Sequence, residues 1–208
     1  MNHILVPIGS NENASNTLQY AIDFAKELNA KVFVFRAYKA LSKAGTLINI
    51  NNILERETNL YLKSIISNID TKGVDVKMIS AKGGTIESIH SVKSELGVDL
   101  IVVGPRSNSI KEEVFLGSTS GSIVKQTEIP VLIVPENYKF NPFKVVLTAF
   151  KSGKLDKPGV LKPLQLIKKF FNSKINLLLV KTPDYKTEDL TVDDSLKAIQ
   201  NTFNTSEN

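Results

Sequence analysis

Five short apolar runs, each closed by glycine, proline or a polar turn, constrain this chain more than any other feature. They are Ile4-Leu5-Val6, Val32-Phe33-Val34-Phe35, Val74–Met78, Asp99–Val103 and Val131–Val134. All but Val74–Met78, which alternates, are close to continuously apolar, the pattern of strands buried on both faces. The stretches between them have helical spacing. Leu18, Ala21, Ile22, Ala25 and Leu28 line one face, with Asn11 or Asn13 placed to cap its start. A second helix spans Ile53–Ile69, with Ile53, Leu54, Leu60, Tyr61 and Ile65 as apolar positions, and ends before Lys72-Gly73. A third is capped by Thr85, buries Ile86, Ile89, Val92 and Leu96, and stops at Gly97, a residue suited to the left-handed C-terminal position. A short fourth opens at Ser118 or Thr119. The order β-α-β-α-β-α-β-α-β predicts an α/β fold: an open parallel sheet with helices on both faces and right-handed crossovers.

Residues 1–138 form this α/β domain, and 139–144, with Asn141-Pro142, read as a linker. Beyond it the pattern restarts, with a strand at Val145-Val146-Leu147, a helix over Leu161–Phe171 and a strand at Ile175–Val180. Leu18, Asn29, Lys31, Val32 and Val34 match Leu161, Asn172, Lys174, Ile175 and Leu177 at one constant offset. Pro163 falls in the first turn of its helix, where it is tolerated. One more helix, Val192–Phe203, follows. The span 145–208 therefore reads as an incomplete second repeat, β-α-β-α, lacking the third, fourth and fifth strands. The apolar face of its first helix (Leu164, Ile167, Phe171) is expected to pack against the first domain or a second chain.

Composition removes several chemistries. With no cysteine there is no disulfide framework, thiolate metal site or thiol nucleophile, and His3 and His90 stand too far apart for a His-based metal site or triad. His3 reads as terminal and solvated, His90 as partly exposed. No apolar run approaches the roughly 18 to 20 residues that span a bilayer. The opening MNHILVPIGS lacks a basic segment followed by an apolar stretch and cleavage site, so a cytoplasmic location is expected. The net charge of +5 resides mainly in a stripe over residues 144–181, with nine lysines, one acid and no arginine. Without arginines or interleaved aromatics this reads as a solvated face, not a nucleic-acid footprint.

In an open parallel sheet, ligands bind beyond the carboxyl ends of the strands where the strand order reverses. Two such ends carry suitable residues: Pro7-Ile8-Gly9 after the first strand, and Gly104-Pro105-Arg106-Ser107 after the fourth. Gly117-Ser118-Thr119 then opens a helix whose free N–H groups and dipole favour an anion. The Ser118 and Thr119 hydroxyls add donors, and Arg106 can fork onto phosphate oxygens. Taken singly, each piece has a plainer explanation: a helix cap, a strand end, a solvated arginine. There is no P-loop lysine after a glycine-rich loop and no GxSxG elbow.

Taken together, the pieces resemble the universal stress protein family over residues 1–138. The resemblance is carried by ILVP at Ile4–Pro7, the amphipathic first helix, the helix entry at Gly83–Ile86, DLIVVG at Asp99–Gly104, LGST at Leu116–Thr119 and PVLIVP at Pro130–Pro135. The family's nucleotide motif is glycine, two residues, glycine, nine residues, glycine, then serine or threonine. Gly104, Gly117 and Ser118 fall into its register. Two positions depart from it. Ser107 stands at the middle glycine, where a positive φ would cost roughly 1–2 kcal/mol. Gly9 stands where nucleotide-binding members usually carry an aspartate that contacts the adenosine. The resemblance implies strand order 3-2-1-4-5, an ATP or adenine-nucleotide crevice between the first and fourth strands, and Ala37 near the adenine. It also implies a homodimer paired through the fifth strand, Pro130–Pro135. Independently, an uncharged Val-Leu-Ile-Val edge strand needs cover.

The expected function is that of a non-enzymatic stress-response protein with a partly degraded ATP site. The residues expected to line it are Pro7, Ile8, Gly9, Ala37, Gly104, Arg106, Ser107, Gly117, Ser118 and Thr119. A nucleotide-free dimeric interaction module is the alternative, and a low-turnover nucleotide hydrolase stands third.

Overall fold

Strand β1 (His3–Pro7) lies in the middle of the main sheet, with Ile4, Leu5 and Val6 fully buried. In this computed structural model the described residues are 1–9, 13–39, 50–105, 117–150, 159–179, 201 and 203, without the side chains of 117, 118, 150 and 179. After β1 come α1 (Ala14–Leu28), β2 (Lys31–Tyr38), α2 (Ile50–Ser67), β3 (Val76–Lys82) and α3 (Thr85–Leu96). Then follow β4 (Leu100–Val103), α4 (Gly117–Gln126) and β5 (Val131–Ile133). The five strands form a parallel sheet in the order β3-β2-β1-β4-β5.

Two crossovers run one way from β1 and the next two run the other way, so right-handed connections put α1 and α2 on one face and α3 and α4 on the opposite one. The core agrees. Leu5, Phe33, Phe35, Ile101 and Val103 share a buried cluster with Ile89 and Val92 of α3 and Ile123 of α4. The intervening strand residues Ile4, Val6, Val32, Val34 and Val102 point to the other face, where α1 packs on β1, β2 and β4. Burying each large apolar side chain contributes about 1.5–3 kcal/mol.

The helix ends follow from local chemistry. Asn29 takes a left-handed conformation (φ 51°, ψ 41°) at the end of α1, and its N–H returns to the Ala25 and Lys26 carbonyls. Gly97 does the same for α3 at φ 64°. The caps at the starts differ from expectation. Asn13 does occupy the N-cap of α1, but at helical φ/ψ its side chain makes no capping bond. Gly84, not Thr85, is the N-cap of α3, and the Glu87 carboxylate folds back against it. A carboxylate there also suits the positive end of the helix dipole.

Three further expectations are corrected. Helix α2 starts earlier, and its buried positions are Thr58 and Leu62, with Ile53 and Leu60 turned to solvent. Strand β3 lies several residues beyond Val74–Met78. Its pairing with β2, from Val32↔Val76 to Tyr38↔Lys82, sets its limits more than its own apolarity does. His3 is not solvated: its Nδ1 lies 2.5 Å from the Leu96 carbonyl oxygen and its ring meets Phe33 edge-on.

Residues Met1–Phe140 form one compact unit and Asn141–Asn208 another. In the second, β6 (Val145–Phe150) and β7 (Lys174–Leu179) pair in parallel through α5 (Lys162–Phe171). Pro163 sits in the first turn of α5, and Asn172 ends it at φ 49°, ψ 42°. Among the described residues of this unit, Leu161 and Phe203 are buried together, with Leu164, Ile175 and Leu177 against them. Lys168 Nζ donates to the Phe203 carbonyl at 2.7 Å, and Ser173 Oγ donates to that of Phe143. The remainder of Val192–Phe203 lies outside the described residues.

In the first unit, Tyr20 of α1 is buried beneath Tyr138 and Phe140, with Phe140 edge-on at 5.5 Å. Burial, with Tyr138 adding to it, pushes the Tyr20 phenol up from 10.0 to about 12. Folding thus retains a proton that the unfolded chain releases near pH 10. The stabilisation is complete below pH 10, and it is lost as the pH rises through about 12. A phenolate absorbance titration is expected to show a late step near pH 12 that Tyr20→Phe abolishes. Full ionisation of every tyrosine near pH 10 in the folded protein would contradict this burial.

Candidate functional site

The strand order reverses between β1 and β4, and parallel strands bring Pro7-Ile8-Gly9 and Gly104-Pro105 out at the same edge. Both exits are fixed by backbone bonds to the neighbouring strand. Ile8 N–H donates to the Phe35 carbonyl at 2.8 Å and Ile8 is buried, while Val134 N–H donates to the Val103 carbonyl at 2.8 Å. Gly9 is exposed at the crest.

Helix α4 reaches this edge through its first turn. Ser120 Oγ donates to the Gly104 carbonyl at 3.0 Å, tying the start of the helix to the end of β4. Gly117 is the first residue of α4, so its opening turn, whose N–H groups have no partner within the helix, lies at the strand-end side of the sheet. Thr119 is exposed in that turn. Ala37 lies on β2, paired with Ala81, and packs on the cluster that includes Phe35 and Ile89. Of the residues expected from the sequence, Pro7, Ile8, Gly9, Gly104, Gly117, Ser118 and Thr119 are thus carried by segments at one edge. Ala37 stands on the neighbouring strand. Arg106, Ser107 and the side chain of Ser118 lie outside the described residues.

Three residues at this edge escaped the sequence reading or entered it in another role. Asn13, read only as a cap, is 6% exposed, and its Nδ2 makes no hydrogen bond. An amide donor left unpaired in the interior costs about 1–3 kcal/mol. It points at Gly104: a Cβ there would lie 2.8 Å from Asn13 Nδ2 and run into Thr17 Oγ1. Tyr61, read as an apolar helix position, donates from its Oη to the Gly9 carbonyl at 2.7 Å. Arg36 lays its guanidinium 4.2 Å from the centroid of that tyrosine ring. The available signal was a charged residue directly after the apolar run Val32–Phe35. Close by on β2, burial raises the Tyr38 phenol above the usual tyrosine range, and the Glu55 carboxylate with its hydrogen bond adds to the effect.

The fit of α1 against β4 sets the position of this edge. Gly104→Ala is expected to cost about 1–3 kcal/mol in denaturant unfolding, because the added methyl overpacks against Asn13 and Thr17. The double variant with Thr17→Ala should recover part of that loss in a double-mutant cycle. Strict additivity would show that the two residues do not meet.

Comparison with known proteins agrees with this architecture. A family model described as the universal stress protein family matches residues 1–135. Universal stress protein YxiE of Bacillus subtilis is 30% identical over 145 residues, spanning 64% of this chain and 98% of that protein. A universal stress protein of Methanocaldococcus jannaschii is 25% identical over 141 residues, spanning 65% and 83%. Among solved structures, one from Archaeoglobus fulgidus superposes with a TM-score of 0.69 at 21% identity, over 96% of this chain and 74% of its own. UspA of Lactobacillus plantarum gives 0.52 at 19% identity, over 64% and 97%. At such identities the structures speak for a shared fold, whereas the family model covers well over half the sequence. The chain belongs to the universal stress protein family.

Proposed function

We propose that this chain is a non-enzymatic stress-response protein whose crevice at the ends of β1 and β4 takes ATP or a related adenine nucleotide. The observation that carries this reading is the Ser120–Gly104 bond, which holds the N-terminal turn of α4 beside the strand ends. The residues fit a phosphorylated ligand. The helix start supplies N–H donors and a positive dipole end, and Asn13 supplies an orphaned buried amide nearby. In this reading Gly117, Ser118 and Thr119 hold the phosphates with Arg106, and Ser107 lines the same turn. Pro7, Ile8 and Gly9 border the nucleoside, with Ala37 beside the adenine.

The protein is proposed to act as a cytoplasmic homodimer paired through Pro130–Pro135. Ile133 is 37% exposed on the edge strand β5, which supports the pairing. Among the described residues, no helix is long and apolar enough to cross a membrane. Residues 145–208 are read as an incomplete second repeat after a linker at 139–144. The matching left-handed asparagines, Asn29 and Asn172, and the parallel β6-α5-β7 unit support it.

Thermal unfolding with and without ATP tests the reading. ATP at one hundred times its Kd is expected to stabilise the wild type by about 2.7 kcal/mol, and the effect should vanish in Gly117→Val. Phosphate release should not exceed a protein-free blank. Unchanged wild-type stability at millimolar ATP would sink the nucleotide reading and leave a ligand-free interaction module.

A further inference from the structure

The nucleotide reading leaves one charged group at this edge without a task. Arg36 follows four buried residues on β2, and its guanidinium stacks on Tyr61. Its Nη1 is shielded from solvent and makes no hydrogen bond. Nor is it paired with a carboxylate among the described residues, where the ion pairs are Lys31–Asp75 and Lys72–Asp23. Glu55, the carboxylate on the same stretch of α2, is engaged with Tyr38. A guanidinium cannot shed its proton to escape burial. The half-exposed guanidinium thus keeps one nitrogen sealed from water without an acceptor, and an anion would supply one.

The position of that anion follows from Tyr61. Its hydroxyl is bonded to the Gly9 carbonyl, so the stacked pair is fastened to the exposed backbone just beyond β1. Gly9 itself brings no side chain to this spot. In dinucleotide-binding α/β sheets, an acidic side chain past the first helix reads the ribose hydroxyls, whereas an arginine accepts a ribose phosphate. Here Arg36, near the carboxyl end of β2, stands at the corresponding place.

We infer that Arg36 reads a second anionic group on the ligand, so that the crevice selects adenine nucleotides phosphorylated on the ribose 2′ or 3′ oxygen over those with a bare ribose. The inference rests on the reading that the crevice takes an adenine nucleotide. The planar fork of the guanidinium suits a phosphate bidentately, and its stack on Tyr61 holds that fork in one orientation.

Calorimetric titration of the full chain with AMP, adenosine 2′,5′-bisphosphate and adenosine 3′,5′-bisphosphate at one ionic strength is the test. The wild type should bind one bisphosphate about tenfold or more tightly than AMP, the gain expected of a charge-assisted bidentate contact. That preference should fall to about twofold or less in Arg36→Gln. Arg36→Lys, which keeps the charge but loses the fork, should retain only part of it and serves if the glutamine variant does not fold. Equal wild-type affinity for all three ligands overturns the inference and leaves the nucleotide reading intact. A preference undiminished in both variants also overturns it. Absence of saturable binding by any of the three overturns both readings.

Discussion

A polypeptide that begins in the middle of its own sheet must send its first two crossovers to one side and its next two to the other. Right-handed connections then force the helix pairs onto opposite faces. Placement of β1 between β2 and β4 is the constraint from which the rest follows. It demands strands apolar on both faces, which Ile4-Leu5-Val6 and Leu100–Val103 satisfy with almost complete burial. It also places the strand-order reversal, where open parallel sheets bind ligands, between β1 and β4. The candidate edge is therefore a consequence of topology, before any side chain is considered.

How much of this was legible in the sequence depends on the range of the interaction responsible. Strands buried on both faces carry their own signal, since every position is apolar, and Ile4–Val6, Val32–Phe35 and Leu100–Val103 could be found from the sequence alone. So could the left-handed terminus at Gly97, a local backbone property. The edge strand β3 was misjudged at both ends because its extent is set by the ladder to β2. For a related reason helix α2 turns inward only part of its expected apolar set: Leu54, Tyr61 and Ile65 are half-buried, Ile53 and Leu60 are not. Ile53 and Leu60 look like core, yet the face turned inward is the one carrying Thr58 and Leu62. His3 looked solvated from its place in the chain, but Leu96 and Phe33 approach it from distant segments.

The site divides along the same line. Its glycines and the Gly117 helix start are local motifs and could be named in advance. Asn13, Arg36 and Tyr61 could not, because each acquires its role from a residue far away in sequence. Tyr61 meets Gly9 only after α2 has packed across β2 and β3, and Arg36 finds its tyrosine through the same packing. Sequence spacing identifies the backbone of such a crevice better than the side chains that tune it.

Those side chains are unevenly distributed, and that is informative. On the β4 side, the donors are the opening turn of α4 and the buried Asn13 amide, held in place by the tight approach of α1 to Gly104. On the β2 side stand a stacked guanidinium and a tyrosine whose hydroxyl is already committed to the Gly9 carbonyl. Both sides offer donors and positive charge, while the nearest raised phenol, Tyr38, stays neutral next to Glu55. Under the proposed reading, two separated donor sets would suit an anion with charge at both ends. On that proposal, a ligand charged at one end only would leave one of the two sets unpaired, and length and charge spacing, more than apolar contact, would govern what the edge accepts.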